Sequence, residues 1–186
     1  MKKIDLNKLR DKAYKTACEH GLHDQELSNE HCLCLVISEL MKAVEADRKR
    51  KYFKGKIMFE RDFNLYSALV EENVRYRNAF EKHIKDTVGD KLADTVIRLL
   101  DLAGLRNLNL NRFALVNVVS KKKTFTENIH SIVKDITNYK YTLEELVNYA
   151  ITQVFVLSDI LDIDLLWHIE HKMKYNELRE DMYGKK

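Results

Sequence analysis

The sequence predicts an all-α fold, and three observations carry that expectation. The 186 residues include no proline and only five glycines, so little in the chain interrupts a helix. Good helix formers, above all Leu, Lys and Glu, are abundant. Two segments, 33–47 (LCLVISELMKAVEAD) and 90–103 (DKLADTVIRLLDLA), are apolar almost all round, the pattern of a buried helix. Apolar residues at 45% and charged residues at 33% place the chain with globular rather than disordered proteins. Its length suits one domain over residues 1–186.

The first helix is expected over 4–21, with Leu6, Leu9, Ala13 and Ala17 on one face and Gly21 at its end. Ser28 is placed to cap the next, over 29–51, which carries Glu39. The run 48–56 (RKRKYFKGK) has three readings. It is a solvated helix end whose cations suit the dipole, a basic loop beside a bound triphosphate, or a nucleic-acid patch on which Tyr52 and Phe53 stack bases. A more polar helix is expected over 65–84. Thr87 to Asp90 (TVGD) resembles a capping box with Asp in place of Glu, which gives Asp90 a role at the N-terminus of a helix over 87–104.

Gly104 and the NLNLNR stretch at 107–112 mark a turn. Residues 113–119 fit a short strand or a helix equally, and 121–123 read as exposed linker. Thr124 with Glu127, and Thr142 with Glu145, form two capping boxes, so C-terminal helices begin there and continue to 182. The second is apolar through Leu161, hence buried over the earlier helices or against another subunit. The last starts near 162–164 and runs to about Met182, with Lys172, Asn176 and Arg179 on one face at i, i+4 and i+7. His168 and His171 flank that face and read as surface or packing residues.

A net charge of +3 is too small to argue for nucleic acid. Three cysteines, Cys18, Cys32 and Cys34, are an odd count without framework spacing, which points to thiols in a reducing cytosol and not to disulfides or zinc. There is no signal peptide and no run of about 18 apolar residues, so a cytoplasmic protein without a membrane span is expected.

The two apolar segments nevertheless carry charge. Glu39 and Lys42 share a face of the first, and Lys91 and Asp94 a face of the second. At about 100° per residue, Asp90 lies about 40° and Asp101 about 20° from Asp94, so three aspartates line one face. Glu39 meets that line if the helices pack antiparallel. Buried charge is costly unless paired or bound to metal, so these residues are the candidate site.

The segments SELMKAVEADRK (38–49) and KDTVGDKLADTVIRLLDLAG (85–104) resemble the two signature helices of the MazG-like, all-α nucleoside triphosphate pyrophosphohydrolases. HIEHKMKYNELREDMYGKK (168–186) resembles the tail that follows in that family. The likeness spans residues 28–105 and 163–186. It implies a helical bundle, often a homodimer or tetramer, in which four carboxylates hold Mg²⁺ on a nucleoside triphosphate. Water then attacks between the α- and β-phosphates, giving nucleoside monophosphate and pyrophosphate. It also implies phosphate contacts from Lys172, Asn176 and Arg179.

The chain departs from the family where the metal should sit. The motifs Glu-x-x-Glu and Glu-x-x-Asp read here Glu39-x-x-Lys42 and Lys91-x-x-Asp94. A charged lysine has donors only and cannot ligate a hard cation. The remaining ligand candidates are Glu39 and Asp94, with Asp90 and Asp101 as replacements. Glu39, Lys42, Lys91 and Asp94 sum to zero, so two ion pairs are expected to join the helices and Mg²⁺ binding to be weak or lost. Arg98, at i+4 from Asp94, is placed to neutralise it further.

Three functions follow. The first is a nucleotide-binding relative with impaired or lost hydrolysis, in which Lys42 and Lys91 contact phosphate. The second is an active pyrophosphohydrolase using Asp90 or Asp101. The third is a non-catalytic helical interaction protein. No motif specifies a base.

Overall fold

A computed structural model of the chain describes residues 4–65, 67–110, 124–138 and 140–179. These residues form eight helices and no strand: α1 (Leu6–Glu19), α2 (Asn29–Arg48), α3 (Lys56–Asn64), α4 (Glu72–His83), α5 (Val88–Leu105), α6 (Phe125–Ile136), α7 (Leu143–Ile160) and α8 (Leu165–Glu177). No single helix among them is long and apolar enough to cross a membrane.

Helix α5 is the axis of the fold. It buries Leu92, Val96, Leu99 and Leu100 completely, each worth about 1.5–3 kcal/mol relative to exposure. It packs against α1, α2, α7 and α8. Its pairing with α2 is antiparallel. At one end the Val88 N–H donates to the carbonyl of Lys51, 2.9 Å away and just past α2. At the other, Arg106 donates to Asn29 Oδ1 at 2.7 Å, where α2 begins. Helix α1 also runs against α5: Arg10 reaches the Leu108 carbonyl at 2.6 Å, while Tyr14, one turn on, lies over Gly104. Helix α6 packs on α2 and α7.

A second, aromatic cluster lies beside this core. Phe59 of α3, Tyr76 and Phe80 of α4, and Tyr175 of α8 are buried together, with Phe53 and Trp167 packed around them. Asp62 fastens α3 to α4 through Lys82 at 2.6 Å and His83 at 2.8 Å. Those partners, Lys82 first, hold its carboxyl well below the usual range.

The local start signals behave as the sequence indicates. Ser28 accepts from the His31 N–H, and Thr124 and Thr142 each close a full capping box. Several boundaries differ, and α1 spans Leu6–Glu19 rather than 4–21. Residues 65–84 are not one helix: α4 begins only at Glu72, and 56–64 form a separate helix, α3, with no counterpart in the sequence reading. Only Phe59 of α3 is buried, so the helix has almost no apolar stripe of its own. Helix α2 ends at Arg48, ahead of a left-handed Arg50 at φ 54°. Helix α8 ends at Glu177 rather than near Met182. The ambiguous stretch at 113–119, the linker at 121–123 and Met182 itself lie outside the described residues.

Gly104 tests the α1–α5 contact. A Cβ there would lie 2.4 Å from Tyr14 Cβ and 2.8 Å from its Cγ. Gly104→Ala is expected to force the helices apart and cost about 1–3 kcal/mol, read from urea unfolding. An unchanged midpoint would contradict the close approach.

Candidate functional site

The start of α5 sets the geometry. Thr87 Oγ1 accepts from the Asp90 N–H at 3.2 Å and donates to the Ile84 carbonyl at 2.7 Å. The Asp90 carboxylate reaches one residue further back than a capping box would, accepting from the Asp86 N–H at 2.9 Å. Asp86 takes a left-handed backbone, φ 63°, to present that donor. Gly89 lets α8 cross closely, since a Cβ there would lie 2.6 Å from His168 Nε2.

One turn beyond His168, α8 delivers Lys172. Its ammonium lies 2.9 Å from Asp90 Oδ1 and 2.8 Å from Asp94 Oδ2. Lys91 approaches the same carboxylates at 3.2 and 3.6 Å and binds Asp86 at 2.9 Å. Asp90 is fully buried. Burial, and then the nearby Asp90 and Glu39 charges, push the Asp94 carboxyl up to about 6 against the pull of Lys172. Burial works against the charges on Lys172 and Lys91, but the aspartates outweigh it and raise both ammonium groups above an ordinary lysine.

This cluster forms one wall of a cavity of about 370 Å³ between α1, α2, α5 and α8. Glu39 projects from the α2 side, buried, with Oε1 2.9 Å from Lys42. Its Oε2 has no hydrogen-bond partner among the described residues. Six cationic side chains line the cavity: Lys42, Lys85, Lys91, Arg98, Lys172 and Arg179. Glu39, Asp94 and Asp101 are the acidic ones. Cations outnumber carboxylates in the lining itself, while Asp90, Asp86 and Glu81, outside it, pair Lys172, Lys91 and Lys85.

The structure brings most of the candidate residues to this cavity, Asn176 included. Their pairings differ from expectation. The two ion pairs do not join α2 to α5: Lys42 pairs within α2, and Lys91 within α5 and the turn before it. The bridge between elements is Lys172, 78 or more residues from its partners in sequence. It fills the neutralising role expected of Arg98, which makes no ion pair among the described residues. Asp101 is held instead by His23 Nε2 at 2.7 Å; burial raises its carboxyl and His23 offsets part of that.

His168 is a packing residue, which burial holds neutral, its ring pushed down to about 4. His171 stacks on Trp167 with centroids 3.8 Å apart. The rings of the basic run are engaged too: Phe53 stacks on Trp167 at 4.9 Å, and the Tyr52 hydroxyl donates to Asp47. Sequence reasoning missed Lys85, in the turn before α5. It also missed the burial of Lys172, although Leu165, Ile169, Lys172 and Met173 form one stripe at i, i+4, i+7 and i+8.

The residues do not fit Mg²⁺. Asp90 and Asp94 already face ammonium groups and Asp101 faces an imidazole. Among the described residues no group of three or more His, Cys, Asp or Glu side chains is placed to hold a metal ion. Comparison with protein-family models, curated proteins and solved structures finds no match to the chain.

Asp94 supplies a measurable signature. Its carboxyl carbon should titrate near 6 by NMR. Because the folded pKa exceeds the unfolded value of about 3.9, the folded state binds this proton more tightly. The stabilisation from Asp94 is full below the unfolded pKa and is lost as pH rises through 6. A carbon titrating below 4 would refute the assignment.

Proposed function

We propose that the chain binds the phosphate groups of a nucleotide in this cavity without a divalent metal, as a MazG-like relative whose Mg²⁺-dependent hydrolysis is impaired or lost. The excess of cationic side chains over carboxylates in the cavity carries this reading. Lysines supply point charges, Arg179 a fork and Asn176 an amide, a set suited to phosphate oxygens. The volume falls among ligand pockets, which span about 300–1,000 Å³. The cavity also lies between the segments that resemble the family's two signature helices and its tail.

The alternative, a working pyrophosphohydrolase, needs Asp90 or Asp101 as a metal ligand. The partners of both speak against it: Lys172 and Lys91 at Asp90, and His23 at Asp101. A purely structural helical protein leaves the excess of cations in the lining without a role. A cytoplasmic homodimer or tetramer completes the proposal. The three cysteines are free thiols, which suits a reducing compartment. Exposed Ile57, Leu65 and Leu69 offer apolar surface for a second copy.

Calorimetric titration with nucleoside triphosphates in EDTA tests the reading. Saturable binding is expected, weakened about tenfold or more by Lys42→Glu. Pyrophosphate release in Mg²⁺ or Mn²⁺ is expected to be absent or slight. Robust turnover abolished by Asp94→Ala would establish the hydrolase instead, and no binding of any triphosphate would leave the structural reading.

A further inference from the structure

The ammonium of Lys172 occupies a built cation site. Two carboxylate oxygens, of Asp90 and Asp94, hold it at 2.9 and 2.8 Å. The ring faces of Phe80 and Tyr175 lie 5.6 and 5.8 Å away. Carboxylates and π-faces are what a cation seeks in a protein interior. Here the protein fills the site with its own side chain.

The geometry points to Lys172 as a tethered cation: it takes the place between Asp90 and Asp94 that a divalent ion would need, so the cavity receives polyphosphate as the free anion and not as its metal complex. This rests on the phosphate-binding reading above and specifies the form of the ligand.

Three observations support it. A tethered group competes at the effective concentration set by its short linker, so a free divalent ion must displace an ammonium that is always present. Asp90 has both carboxylate oxygens engaged and Asp94 meets both ammonium groups, whereas hard cations demand several oxygens. Finally, cationic side chains outnumber carboxylates among those that line the cavity. A metal complex would bring further positive charge into that field; a free polyphosphate answers it.

The test is titration of inorganic triphosphate into wild type, Lys172→Met and the double variant D94N/K172M, in EDTA and in excess Mn²⁺. Wild type should bind in EDTA and lose about tenfold or more in Mn²⁺. Lys172→Met should invert this, binding weakly in EDTA and regaining affinity with Mn²⁺, and D94N/K172M should lose that gain. Wild-type preference for the free anion retained in Lys172→Met, or no recovery with Mn²⁺, would overturn the proposal.

Circular dichroism reports whether Lys172→Met folds. If it does not, D90N/K172M, which removes the buried carboxylate together with its partner, decides the matter. It should bind triphosphate in EDTA about tenfold or more below wild type; wild-type affinity would show that the anion does not meet this ammonium. Failure of wild type to bind triphosphate under either condition overturns the phosphate-binding reading itself. Equal wild-type binding with and without Mn²⁺ overturns only the tethered-cation proposal.

Discussion

A carboxylate with no access to water needs partners on every side, and Asp90 has them. Lys172 holds one oxygen; Lys91 and the Asp86 N–H hold the other. Removing one member of such a buried pair typically costs about 3–5 kcal/mol, because the other is left uncompensated. The Asp90–Lys172 contact therefore locks three things together. It fixes the turn before α5, the start of α5 and the position of α8 across it. Gly89 permits the crossing, and Asp90 sets its register along α8.

The same contact organises the electrostatics of the cavity. Its wall consists of opposite charges that cancel locally: Lys172 and Lys91 against Asp90 and Asp94, and Lys42 against Glu39. Lys85, paired with Glu81 at 3.6 Å, Arg98 and Arg179 also line the cavity, beside a single further aspartate, Asp101, which faces His23.

The parts of this fold legible in the sequence are those decided within a few residues. Ser28, Thr124 and Thr142 cap helices through bonds to residues three positions on, so their pattern is complete locally. The apolar density of α5 likewise announces a buried helix. Helix α3 was not legible because its one buried side chain, Phe59, packs on rings of the next helix, α4, and of the distant α8 rather than on an apolar stripe of its own. The sequence puts the candidate aspartates on one face by angle, and angle says nothing of distance along the axis. Seven residues separate Asp94 from Asp101, about 10 Å of helix, which brings Asp101 to His23 instead of the lysine cluster. Lys172 was read with Asn176 and Arg179 as a phosphate contact; its burial and its partners Asp90 and Asp94 required the tertiary fold.

Tyr175 sits between the aromatic cluster and the cavity. It stacks on Phe80 with centroids 4.3 Å apart, donates to Glu81 at 2.6 Å, and turns a face toward the Lys172 ammonium. The ring thus makes the α3–α4 lobe a mechanical backstop for a charge that belongs to another core. Evolution cannot repack that lobe freely: a change in the shape of its oily interior would be felt, through one tyrosine, as a change in where a positive charge stands.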